Sequence, residues 1–213
     1  MELAVKNITK TIKGREILSD ITMTLYSGKV YGFVGRNGSG KTMLFRAISG
    51  LMGIDAGEIC LDGRVLHRDM DILPHMGIIL ENAGLYPEYT GVRNLQILGK
   101  LTGVTPEAIR EAIIRVGLDP DDKRTYQKYS LGMKQRIIIA QAIMEKPDIL
   151  LLDEPTNALD ESGVEQIRKV VGEEKERGAL VLLASHNKED IRLLADEIFL
   201  MESGRLRKGD GGQ

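Results

Sequence analysis

A chain of 213 residues, 42% hydrophobic and 28% charged, has the make-up of a soluble globular protein with one substantial core, or one domain with a subdomain. Its formal net charge of -2 supplies no bulk basic surface, so nucleic acid is not an expected partner. Residues 1–6 carry no signal-peptide pattern and the longest apolar runs, around 137–144 and 149–152, fall far short of a membrane span, which predicts a cytoplasmic protein.

In chain order, Leu3, Val5 and Ile8 with polar residues between them predict a strand, and Ile21, Met23 and Leu25 repeat the period of two. Ser27-Gly28 is a turn ahead of the apolar run 30–34. Gly35-Arg36-Asn37-Gly38-Ser39-Gly40-Lys41-Thr42 follows, and 43–48 reads as helix. This is G-x-x-x-x-G-K-[ST] in the required order of strand, glycine-rich turn, helix. Glycines let backbone wrap closely around a ligand, and the N–H groups then converge at the positive end of a helix dipole, which suits a polyphosphate. Lys41 adds a charge for the β- and γ-phosphates of a nucleoside triphosphate, and the Thr42 hydroxyl can ligate Mg²⁺.

Beyond this loop, residues 57–66 read as two short strands around an Asp62-Gly63 turn, with the single Cys60 as a small core residue. Residues 76–80 predict a central, buried strand. From 90 to 144 the pattern turns helical: Thr105-Pro106-Glu107 starts a helix in which Ala108, Ala112 and Val116, with Ile109 and Ile113, keep i, i+4 spacing, and a second apolar helix spans 133–144. The run 149–152 is a parallel-type strand, followed by helix 161–177, strand 180–184, helix 188–194 and strand 197–201. The charged stretch 173–177 reads as a solvated helix end. The fold class is therefore α/β, a P-loop NTPase core with a mostly parallel sheet, an N-terminal antiparallel β part and an inserted helical subdomain. Asp153-Glu154 closes the strand 149–152, where side chains of a parallel sheet reach the ligand crevice. Asp153 is the natural Mg²⁺ partner and Glu154 the candidate general base. Without a phosphate loop, the same pair is more often a solvated strand end or helix cap.

With these motifs in order, the chain resembles the nucleotide-binding subunit of an ATP-binding cassette transporter along essentially its whole length. Tyr129-Ser130-Leu131-Gly132-Met133-Lys134-Gln135-Arg136 resembles the family's signature loop, keeping Ser130 and Gly132 but departing at Leu131 and Met133-Lys134. Asn157-Ala158-Leu159-Asp160 resembles the D-loop, and His186 matches the switch histidine. Taken singly, Ser130 and His186 also suit plain helix caps. The resemblance implies one ABC ATPase domain over 1–213, with 1–85 and 146–213 as core and 86–145 as helical subdomain. It also implies two subunits paired head-to-tail as a homodimer or heterodimer, each ATP held by one P-loop and the partner's signature loop. Glu154 would then polarise water, with Lys41 and His186 on the γ-phosphate and Asp160 shaping the dimer interface. Integral membrane permease subunits would be the partners, at the inner face of the cell membrane. A soluble cassette ATPase acting in cofactor assembly is the alternative.

Two positions depart from the family pattern. Ile12 stands where an aromatic residue usually stacks on adenine, which implies weak base discrimination. Glu81 stands where the Q-loop glutamine lies; it offers Mg²⁺ oxygens but no amide donor, or else it faces solvent in a junction loop. Together with the unusual signature loop, Glu81 resembles the bacterial subset that exports lantibiotics and related peptides for self-protection. The permease would dock around 81–90, where Tyr86, Pro87 and Tyr89 supply aromatic and rigid contacts.

Overall fold

The computed structural model describes residues 1–80 and 84–209. Strands β1 (Glu2–Ile12) and β2 (Arg15–Tyr26) pair antiparallel across a tight Lys13-Gly14 turn. The chain then enters a second sheet through β3 (Val30–Val34) and α1 (Lys41–Ser49), and returns to the first with β4 (Ala56–Leu61) and β5 (Arg64–Val65). The first sheet is antiparallel, in the order β2-β1-β4-β5.

The second sheet adds β6 (Met76–Ile79), β7 (Ile149–Asp153), β8 (Leu180–Ala184), β9 (Glu197–Glu202) and β10 (Arg205–Lys208), in the order β10-β9-β3-β8-β7-β6. Every pairing in it is parallel except the β9–β10 hairpin. Between β6 and β7 lie α2 (Gly91–Thr102), α3 (Pro106–Arg115), a 3₁₀ turn at Tyr126–Lys128 and α4 (Leu131–Ile143). Helices α5 (Glu161–Glu176) and α6 (Lys188–Leu194) then alternate with β8 and β9.

Two cores flank the parallel sheet because strand side chains alternate. Ile149 and Leu151 of β7, with Leu180 and Leu182 of β8, pack with α1 and the antiparallel sheet. Leu150 and Leu152, with Val181 and Leu183, pack instead with α3, α4 and α5. Strands covered on both faces read as continuous apolar runs, which is why β7 and β8 stand out in the sequence.

The structure departs from the sequence expectation at β6 and at the end of α5. Strand β6 lies at the sheet edge, not its centre; it is apolar because Met76 and Ile78 join one core and Ile79 the other. The helix end around 173–177 is not simply solvated. Glu174 is 1% exposed, and Arg115 of α3 and Arg177 each reach its carboxylate at 2.7 Å. A buried carboxylate is tolerable because two guanidinium groups offset its desolvation.

Candidate functional site

Parallel strands release their C-terminal ends at one sheet edge, so the loops after β3, β8 and β7 meet there. The loop after β3 runs Gly35 to Gly40 and opens directly into α1, with Gly40 as the helix cap at φ 110°. That angle is in the left-handed region, where a side chain would be strained. A Cβ on Gly35 would stand 2.3 Å from the Met201 carbonyl oxygen, so the loop packs hard against β9. Lys41 is 6% exposed, and its ammonium donates to the Gly35 carbonyl at 2.7 Å. The Ser39 hydroxyl is buried with no hydrogen-bond partner among the described residues. A glycine cradle on a helix N-terminus, holding an orphaned hydroxyl and a lysine, fits a polyphosphate.

The Thr42 hydroxyl donates to Asp153 Oδ2 at 2.5 Å, joining the start of α1 to the end of β7. Two oxygen donors at a polyphosphate cradle are the hard-ligand chemistry that Mg²⁺ takes. One residue on, Glu154 adopts φ 51°, a left-handed conformation that costs a non-glycine residue roughly 1–2 kcal/mol. Its amide donates to the Ala184 carbonyl at the end of β8 at 2.8 Å. The Glu154 carboxylate turns to His186, with Oε2 2.7 Å from Nδ1 and 3.2 Å from the His186 backbone nitrogen that donates to it. Thus the acidic pair from β7 and the histidine beyond β8 form one constellation beside the phosphate loop.

A cleft of about 970 Å³ runs from this loop. Asn37, Gly38, Ser39, Gly40, Lys41, Thr42, Asp153 and Glu154 lie on its wall, and α4 contributes Gln135 and Ile138. Gly35 and Arg36 line an adjoining cleft. Ser130 and Gly132 do not reach the wall. The Ser130 hydroxyl caps α4 by accepting from the Met133 amide at 3.2 Å, while a Cβ on Gly132 would stand 3.0 Å from the Ala158 carbonyl. Leu131 beside them is 70% exposed. Asp160 caps α5 through the Gly163 amide at 3.0 Å and pairs with Arg136 at 3.0 Å. The Gly163 amide first, then the charge of Arg136, hold its carboxyl below the usual carboxylate range.

Ile12 ends β1 opposite Arg15 and is not on the cleft wall. The wall there is Arg15, Glu16 and Ile17, and no aromatic residue lines the cleft among the described residues. Glu81, expected near Mg²⁺, lies outside the described residues. Sequence reasoning did not single out Arg15–Ile17, Arg46, or the turn Ser203-Gly204 as cleft residues. The turn arrives by a long-range bond from the Gly204 amide to the Ser39 carbonyl at 2.9 Å, for which no local pattern gives a signal.

The family model described as ABC transporter matches residues 18–157. The chain is 47% identical over 209 residues to YybJ of Bacillus subtilis (strain 168), an uncharacterized ABC transporter ATP-binding protein, covering 98% of this chain and 96% of that one. It is 34% identical over 204 residues to the lantibiotic transport ATP-binding protein SrtF of Streptococcus pyogenes, covering 96% and 88%. Among solved structures, the dimeric MJ0796, a bacterial ABC transporter cassette, superposes with a TM-score of 0.88 at 23% identity over 99% of both chains, a shared fold.

Proposed function

The chain belongs to the ABC transporter family as an ATP-binding subunit, and from that premise we propose that it hydrolyses ATP to drive a bacterial exporter of peptide antibiotics or similar compounds. The observation that carries the hydrolytic reading is the Glu154–His186 contact at 2.7 Å, one residue from the Thr42–Asp153 pair. The export reading draws on SrtF, whose name specifies lantibiotic transport. No helix among the described residues is long and apolar enough to cross a membrane, so the proposal assigns translocation to separate permease chains.

In this reading the loop amides and Lys41 hold the triphosphate, and the Lys41 ammonium exchanges the Gly35 carbonyl for phosphate oxygen. Mg²⁺, when bound, would offset phosphate charge; Thr42 and Asp153 would hold it. Glu154 takes the proton of the attacking water, and His186 orients that carboxylate and the terminal phosphate. Ser130 and Gly132 lie off the cleft wall of their own chain, which supports their reaching the nucleotide of a second copy. The resulting pairing is an isologous dimer closed by ATP and opened by its hydrolysis.

Without an aromatic platform the base contributes little to binding, because a stacked base is typically worth about 1–3 kcal/mol. ATP and GTP should therefore be turned over with kcat/KM values within about tenfold of each other. A preference for ATP of a hundredfold or more, measured by phosphate release from each nucleotide, would contradict the weak-base reading.

Docking to the permease is assigned to residues 81–90, of which the described residues 84–90 include the exposed Tyr86 and Tyr89. The side chain of Asn94, buried in α2, accepts from the Tyr86 amide at 2.7 Å and donates to its carbonyl at 3.0 Å. That scaffold presents the exposed rings of Tyr86 and Tyr89, 5.6 Å apart. Purification of tagged Glu154→Gln protein with MgATP from detergent-solubilised membranes of its source cells should recover a polytopic membrane protein. Adding Tyr86→Ala and Tyr89→Ala should cut that recovery by about tenfold or more. Recovery of only soluble chains, or of a bare homodimer, would move the assignment to a role without a membrane partner.

A further inference from the structure

We propose that Asp190 is a positioning residue for turnover, holding through Thr156 the two segments that carry Glu154 and His186 in one register. The inference rests on the ATPase reading above. Asp190 belongs to α6 and is 1% exposed. Its Oδ2 accepts from the Thr156 hydroxyl at 2.6 Å, and its Oδ1 lies 2.8 Å from Arg168 Nε and 2.7 Å from Arg168 Nη2. Arg168 also reaches Glu189 at 3.1 Å. One buried carboxylate therefore joins the turn after β7, helix α5 and helix α6.

The location matters for the chemistry. Thr156 stands two residues beyond Glu154, and α6 starts two residues beyond His186. The near ends of these segments are tied by the Glu154 amide on the Ala184 carbonyl at 2.8 Å and the His186 amide on Glu154 at 3.2 Å. Thr156–Asp190 ties the far ends. Packing does not place the imidazole, since the His186 side chain is 62% exposed. Helix α6 has seven residues, too few to hold its own geometry unaided. The 2.7 Å contact between His186 and Glu154 thus depends on where the backbone of both segments is anchored.

Charge balance alone does not account for the arrangement. Arg168 supplies the neutralising charge, which it shares with Glu189, whereas the Thr156 hydroxyl adds a hydrogen bond on Oδ2 that carries no charge. Thr156→Val removes that hydroxyl at nearly constant volume and leaves the ion pair in place, and Thr156→Ser restores the hydroxyl. In MgATP hydrolysis by the full chain, Thr156→Val should lose about tenfold or more in kcat, because small misplacements of reacting groups carry costs of that size. Its KM should stay within about twofold, and Thr156→Ser should return kcat to within about twofold of wild type. Wild-type kcat in Thr156→Val would overturn the inference. A joint loss of kcat, KM and melting temperature that Thr156→Ser does not repair would also overturn it, by marking the contact as merely structural. A wild-type chain that binds MgATP but never turns it over would instead overturn the ATPase reading on which the inference stands.

Discussion

Glu154→Gln should reduce MgATP turnover by about 10²–10³-fold, within the range that general acid–base groups contribute, while leaving nucleotide binding intact. The substitution is nearly isosteric. A glutamine Oε1 can still accept from the His186 amide, which lies 3.2 Å from Glu154 Oε2, so the turn after β7 keeps its shape. What disappears is a carboxylate able to take a proton from water. The φ of 51° at this position is equally strained for glutamate and glutamine, so stability should change little and the effect should reside in kcat. If ATP is the bond between two copies, blocking its hydrolysis should also accumulate the dimer. Light scattering during size-exclusion chromatography in MgATP should then show a dimer for the variant, reverting to monomer once nucleotide is removed. A variant that hydrolyses at the wild-type rate would remove Glu154 from the base role. A variant that is inactive yet monomeric at saturating MgATP would leave that role and sink the dimer reading.

The parts of the fold that were readable from sequence are those whose cause is local. Strands β7 and β8 show as apolar runs because both of their faces are covered. The start of α3 shows because Thr105 caps it and Pro106 fixes its first turn. The phosphate loop shows because its glycines, lysine and threonine all act within eight residues. What failed depended on partners distant in the chain. The apolarity of β6 is the same whether a strand or a helix covers it, so its edge position was not visible. The burial of Glu174 depends on Arg115, and the cleft wall at Ser203-Gly204 depends on a hydrogen bond to Ser39. Thr156 and Asp190 sit in ordinary turn and helix sequence, and only their meeting gives them weight. The candidate site therefore divides the same way. Its chemical groups are legible one by one, and the restraints that hold them are tertiary.

Gly77→Ala should be strongly destabilising, because of where α4 sits. A Cβ at Gly77 of β6 would stand 2.0 Å from the Ala142 carbonyl oxygen and 2.9 Å from its carbon. These are backbone atoms of the helix, so no rotamer change can relieve the contact, and α4 must move bodily away from the sheet. Overpacking of this kind costs about 1–3 kcal/mol and occasionally more; with helix backbone as the obstacle, about 3 kcal/mol is expected. For a domain of this size that corresponds to a fall in melting temperature of about 6–12 °C. Gly172→Ala is the matched control. Gly172 lies inside α5 with nothing within 4 Å of its added Cβ, so the change should stabilise by roughly 0.5–1 kcal/mol through helix propensity. Urea denaturation of both variants gives the comparison directly, and a Gly77→Ala cost below about 1 kcal/mol would show that α4 yields easily. The position also bears on activity. Helix α4 carries Gln135 and Ile138 to the cleft wall and Ser130 and Gly132 to the surface beyond it. A helix pushed off β6 should therefore weaken ATP-dependent dimerisation more than ATP binding, since the phosphate loop is built on β3 and α1, three strands along the sheet from the clash.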